Sequence, residues 1–184
     1  FEKPIPPWRG TSACLSSYRR PTPETAPTGV KAACLYPNVA RAMMEARGKG
    51  FDSAIMLDAA GNVAEFTTSN LFIAKDGVVL TPAPNGCFLA GITRGRIMEL
   101  LRDAGVEVRE CTLQYPDVLA ADEVFLTGNF SKVLPVVRVE DRHYQQGKFA
   151  DLARELDRLG PLTRLHGHPA PVRAMSPSAR RRRR

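Results

Sequence analysis

Residues 65–71 read Glu-Phe-Thr-Thr-Ser-Asn-Leu, and the fold turns on them. A carboxylate closes the apolar run from Val63, a short polar stretch follows, and an Asn with two apolar residues starts the next strand. Upstream stands Lys31, alone in TGVKAACLY at 28–36. Downstream, LAGIT at 89–93 leads from a turn rich in Pro and Gly into a helix start. In that order the pieces describe a small anionic cofactor. A strand-borne acid and a helix N-terminus hold it, with an amine in reach.

The flanking chain reads as strand hairpins with interspersed helices. Strands over 53–57 and 63–67 enclose a turn at 58–62, and strands over 71–74 and 78–80 enclose Asp76-Gly77. Asn38 caps a helix over 39–48, and Thr93 opens a helix to 104 that Gly105 stops. Further strands are expected over 106–111, 123–127 and 132–139, with helices over 115–121 and 147–159. Pro135 implies a bulge or an edge in its strand. This order predicts an α+β fold rather than a doubly wound sheet. Residues 1–30 hold six of the fifteen prolines and read as an extended, Pro-rich opening segment. After 159 the chain turns to Pro, His, Arg and Ser without periodicity. Such a stretch buries too little apolar surface to offset its ordering entropy, so 160–184 reads as a disordered Arg-rich tail.

The net charge of +7 is a property of that tail. Seven of the 26 basic residues lie at 161–184 with no acid among them, which leaves 19 basic against 19 acidic residues before it. Specific nucleic-acid recognition is therefore not expected. No apolar run is long enough to span a bilayer. The four cysteines, Cys14, Cys34, Cys87 and Cys111, are too scattered for a zinc site and read as reduced thiols of a cytoplasmic protein. The first residues show neither an initiator Met nor a signal-peptide core, so the chain is expected to begin inside a longer protein.

On local sequence each candidate has an ordinary reading beside the chemical one. An amine at Lys31 would be partly desolvated by its small, apolar neighbours and suited to Schiff-base chemistry, or it is a surface lysine whose stem covers them. Tyr36 could orient a ring oxygen or fill a core. Glu65 either faces solvent or pairs with a cation such as a protonated pyridine nitrogen. Gly91-Ile92-Thr93 offers backbone N–H groups and a hydroxyl to a phosphate, or is a plain helix start. The turn at 127–131, with the Asn129 amide, could hold a second anion.

From Lys31 to about Arg142 the chain resembles the fold-type IV pyridoxal-phosphate enzymes, and most closely the branched-chain amino-acid aminotransferases. The stretches KAACLYPN, EFTTSNLF, TPAPNGCFLAGITR, ADEVFLTGN and VLPVVRVEDR carry the resemblance in the family's order. It implies the large C-terminal domain of the class IV (D-amino-acid aminotransferase-like) fold, a mixed pseudo-barrel sheet with flanking helices. That domain would cover 31–159, behind an opening segment that follows a missing small domain.

The resemblance places Lys31 as the Schiff-base lysine, Tyr36 beside the cofactor's phenolic oxygen and Glu65 on the pyridine nitrogen. Thr68 and Leu89 would sandwich the ring, Ile92 and Thr93 cradle the phosphate, and Asn129 stands where many members have Thr. Asn129 and Phe130 would hold the substrate carboxylate. The implied activity is pyridoxal 5'-phosphate-dependent transamination of branched-chain amino acids with 2-oxoglutarate. The implied assembly is a cytoplasmic homodimer or larger, and no metal is implied. Within the fold, a lyase acting on aminodeoxychorismate or a D-amino-acid transaminase would use the same residues; a non-catalytic remnant is the alternative from another class. The family's phosphate-binding arginine has no counterpart among Arg9, Arg19 and Arg20, so the chain alone is expected to turn over poorly.

Overall fold

Two local hairpins seed the architecture. The computed structural model describes residues 10–145 and 147–159; the expected tail at 160–184 lies outside the described residues. The strands are β1 (Thr11–Leu15), β2 (Ser53–Leu57), β3 (Val63–Phe66), β4 (Asn70–Lys75), β5 (Val78–Pro82), β6 (Val108–Cys111), β7 (Glu123–Gly128), β8 (Lys132–Val139) and β9 (Arg142–His143). The helices are α1 (Tyr36–Gly48), α2 (Ile92–Asp103), α3 (Tyr115–Leu119) and α4 (Lys148–Leu159).

β2 and β3 pair antiparallel with a register shift at Met56/Leu57, as do β4 and β5, where Lys75 faces Val78. Asp76 and Gly77 both take positive φ, 51° and 84°, the backbone a two-residue turn of the I′ kind requires. All nine strands join one sheet in the order β3-β2-β1-β8-β7-β4-β5-β6, with β9 beside β8.

That order forces the sheet to curl. β3 and β4 stand five places apart, about 24 Å in a flat sheet. Yet only residues 67–69 join them, a span of at most about 14 Å. The sheet closes into a partial barrel, an α+β arrangement. Side chains then alternate between two apolar layers. Leu71, Ile73, Val124 and Leu126 point inside with Phe66, Val136 and Val118 of α3. Phe72, Ala74 and Phe125 point outside, under Ile97 and Leu101 of α2 and Ala150 and Ala153 of α4. Phe72 and Phe125 are cross-strand neighbours and stack with centroids 5.0 Å apart.

The structure departs from the sequence reading at three places. β1 is a strand that the opening segment did not announce: it runs parallel to both β2 and β8, in the middle of the sheet. Of the two alternatives at Pro135 the bulge is the one found: the strand is interior, the β1 pairing begins only at Val136 and asks no N–H of the proline, and its register shifts between Val136 and Arg138. α1 starts at Tyr36 with Leu35 as cap and Pro37 in its first turn. Asn38 is thus not a cap; its Nδ2 donates to the Arg19 carbonyl at 2.7 Å and ties the helix to the opening segment. α2 starts at Ile92 with Gly91 as its cap, one residue before the expected Thr93.

α4 begins on a buried acid. Glu123 of β7 accepts from the backbone N–H of Phe149 at 3.1 Å and of Ala150 at 3.2 Å. A carboxylate there satisfies orphan donors of the first turn. Among the described residues no helix is long and apolar enough to cross a membrane.

Candidate functional site

The β3–β4 turn, the loop into α2, the β7–β8 turn and the stretch at 29–31 meet around a cleft of about 970 Å³. Closure of the barrel brings these four segments together. Of the residues singled out in the sequence, Lys31, Glu65, Thr68, Leu89, Ile92, Thr93 and Asn129 line it. Tyr36 and Phe130 do not: they are 60% and 83% exposed, beyond the lining. Lys31 is exposed rather than partly desolvated, because the segment from Gly29 lies on the surface.

Glu65 is the buried charge of the cleft. β3 places its carboxylate inward, with 9% of the side chain exposed. Oε1 pairs with Nη2 of Arg20 at 2.9 Å, and Oε2 accepts from Nδ2 of Asn70 at 3.2 Å. Arg20 is itself 5% exposed and donates from Nε to the Cys87 carbonyl at 3.3 Å. Burial pushes the Glu65 carboxyl up to about 7, and the Arg20 cation pulls against that. The acid is therefore poised to respond to a second cation placed beside it.

The other end of the cleft is built for an anion. The cap residue Gly91 has extended φ and ψ of −63° and 139° and carries no side chain. No side chain caps the helix and its first turn holds no acid, so its first N–H groups face the cleft unneutralised. Gly128, on the β7–β8 turn, also lines it; a Cβ there would meet Ser69 Oγ at 3.0 Å. The Thr127 hydroxyl, buried beneath, has no hydrogen-bond partner among the described residues. A planar cationic ring with an attached phosphate fits this donor set: an acid for the ring nitrogen, and helix N–H groups with the Asn129 amide for the phosphate. Among the described residues no cluster of His, Cys, Asp or Glu could hold a metal ion.

Sequence reasoning missed Arg20 and Asn70. Arg20 was weighed only as a phosphate ligand, whereas the fold turns it onto Glu65. Asn70 stood in the motif without a role. Arg20 meets Glu65 45 residues away, a contact no local pattern announces; Asn70 stands only five residues from Glu65, but its other partner, Leu89, is 19 residues away.

A family model described as amino-transferase class IV matches residues 1–139. The "probable branched-chain-amino-acid aminotransferase" of Aquifex aeolicus is 40% identical over 149 residues, 80% of this chain and 48% of that protein. The branched-chain-amino-acid aminotransferase of Escherichia coli K12 is 36% identical over 148 residues, again 80% and 48%. Among solved structures, an aminotransferase from Brucella abortus bound to the co-factor PLP superposes with a TM-score of 0.83 at 48% identity. That match covers 85% of this chain and 56% of that one. The Escherichia coli branched-chain aminotransferase gives 0.79 at 34% identity, covering 82% and 51%. The chain spans about half the length of the curated relatives it matches.

Proposed function

The chain belongs to the class IV aminotransferases, and on that premise we propose that it is the cofactor-carrying large domain of a pyridoxal-phosphate-dependent branched-chain amino-acid aminotransferase with 2-oxoglutarate as amino acceptor. One observation carries the proposal. Lys31, the buried Glu65 and the open N-terminus of α2 share a single cleft. The names of the relatives and the PLP-bound Brucella structure support it.

Bound there, pyridoxal phosphate supplies an aldehyde and an electron-withdrawing ring through which amino groups are exchanged. The chain's own residues do the rest. Lys31 Nζ would hold the cofactor and would move the substrate's α-proton as base and then acid. Glu65 keeps the ring nitrogen protonated. Backbone N–H groups at Ile92 and Thr93, the Thr93 hydroxyl and the Asn129 amide bind phosphate, and Thr68 and Leu89 flank the ring. Asn129 meets the substrate carboxylate, and Phe130, outside the cleft lining, joins it only if the β7–β8 turn is reorganised. Tyr36 reaches the ring oxygen only if the surface around it is reorganised, since it stands outside the cleft. The same reading makes the whole protein a cytoplasmic homodimer or larger assembly, with a cofactor domain that extends the expected 31–159 forward to take in β1 and Arg20. This chain alone then turns over poorly, for want of a second wall over the exposed Lys31 and Ile92.

The test has two parts. Borohydride reduction of the chain with pyridoxal phosphate, followed by peptide mapping, should place the label on Lys31; a label on Lys49, Lys75 or Lys132 refutes the site. Product analysis on the whole protein should show leucine and 2-oxoglutarate converted. Turnover of D-alanine or aminodeoxychorismate instead would move the chain to another branch of the fold.

A further inference from the structure

The cleft contains one polar side chain that touches both of its ends. Asn70 is the first residue of β4, 7% exposed, with its backbone held by pairing to Thr127 of β7. A carboxamide has two N–H donors. Asn70 directs its nitrogen to Glu65 Oε2 at 3.2 Å and to the Leu89 carbonyl at 2.9 Å. Its oxygen lies against Gly91, where a Cβ would stand only 2.2 Å from Oδ1. No side chain fits there, so the glycine lets the loop close onto the amide.

We propose that Asn70 is a positioning residue: one amide locks the Glu65 carboxylate and the loop into α2 in a single register, so that the acid and the helix N-terminus can engage the two ends of one rigid ligand. This rests on the reading of the cleft as a pyridoxal-phosphate site. The acid sits on β3 and the helix start follows β5, and among the described residues no other side chain bonds both. Arg20 holds the second Glu65 oxygen, so the carboxylate is gripped at both atoms, once by a cation and once by a neutral donor. Asparagine suits the place where aspartate does not. An Asp would replace Nδ2, which donates to both the Leu89 carbonyl and the Glu65 carboxylate, with a bare oxygen facing the same two acceptors. The other charged groups facing the cleft are Lys31, Arg96, Lys132 and Asp157.

The experiment uses the present chain with Asn70→Ala, Asn70→Asp, Gly91→Ala and the Asn70→Ala/Gly91→Ala double variant. Without cofactor, carbon NMR of the Glu65 carboxyl should show its titration raised by about one pH unit in Asn70→Ala, since a donor to the charged form is lost. Asn70→Asp should raise it further. In an absorbance titration, the dissociation constant for pyridoxal phosphate should rise about tenfold in Asn70→Ala. The loss should be smaller for pyridoxal, which has no phosphate to keep in register. Gly91→Ala alone should also weaken binding, by pushing the amide aside, and the double variant should bind no worse than Asn70→Ala. An unmoved Glu65 titration, or additive losses in the double variant, overturns the proposal. If the parent chain binds no pyridoxal phosphate at Lys31, the functional reading fails by itself. The Glu65 titration and the unfolding midpoints of the Gly91/Asn70 cycle, non-additive if the contact is real, still decide the role of Asn70. Should Asn70→Ala not fold, Asn70→Ser takes its place.

Discussion

Arg20→Met isolates what the buried cation does. In the parent chain Nη2 lies 2.9 Å from Glu65 Oε1, with the two side chains 5% and 9% exposed. Methionine keeps much of the buried stem and removes the charge. The acid then has only Asn70 as a donor, and the Cys87 carbonyl loses its side-chain partner. Breaking a buried pair from one side costs about 3–5 kcal/mol when the remaining charge persists. That is a large share of a domain's total stability of roughly 5–15 kcal/mol. Protonation offers a way out. Glu65 already titrates at about 7 against the pull of Arg20, so the variant's acid titrates higher. At about pH 5 the acid is neutral in both proteins, and the cost falls to a lost donor and altered packing, about 1–2 kcal/mol. Because the parent acid itself titrates at about 7, the penalty should therefore grow by only about 1 kcal/mol between about pH 5 and pH 8. Urea unfolding of both proteins at the two pH values measures it. Arg20→Lys, which keeps the charge without the fork, should fall between them. A penalty below about 1 kcal/mol, or one equal at both pH values, would show that Arg20 does not hold the acid.

Three further outcomes follow from single contacts. Because the folded-state value of Glu65 is raised from 4.5 to about 7, its contribution to stability is full below pH 4.5 and lost as pH rises through 7. Relative to Glu65→Gln, the parent should lose about 3 kcal/mol over that window, and a pH-independent difference in unfolding free energy would contradict this. Gly147→Ala would put a Cβ 1.7 Å from Glu123 Cδ and push the carboxylate off the start of α4. The expected cost is about 1–2 kcal/mol of stability in a denaturant titration, and a neutral result removes Glu123 as the cap. Gly77→Ala, at φ of 84°, should destabilise the β4–β5 hairpin by about 1 kcal/mol, read as a lower unfolding midpoint.

The sequence by itself determined what is local. Asp76-Gly77 demands positive φ at two successive positions, so the β4–β5 hairpin was legible as turn chemistry. The helices α2 and α4 were legible as periodicity, and the motif around Glu65 was legible as an acid, a polar run and a strand start. Lys31, Glu65 and the 89–93 loop could be named as candidates because each is a residue type that such chemistry needs.

Tertiary structure alone decided which of them meet. Thr-Ser-Ala-Cys-Leu at β1 has no telling pattern, because its strand is fixed by parallel partners 40 and more than 120 residues away. Asn38 looked like a cap, but Pro37 let the helix start earlier and left its amide to the opening segment. The resemblance placed Tyr36 and Phe130 at the site, and the curled sheet leaves both exposed outside the cleft lining. Arg20, Glu65, Asn70 and Gly91 converge only because a three-residue link closes a sheet across five strand positions. Propensity and turn chemistry act over a few residues. Burial of charge and the exclusion of a single Cβ are settled by whatever the fold brings alongside.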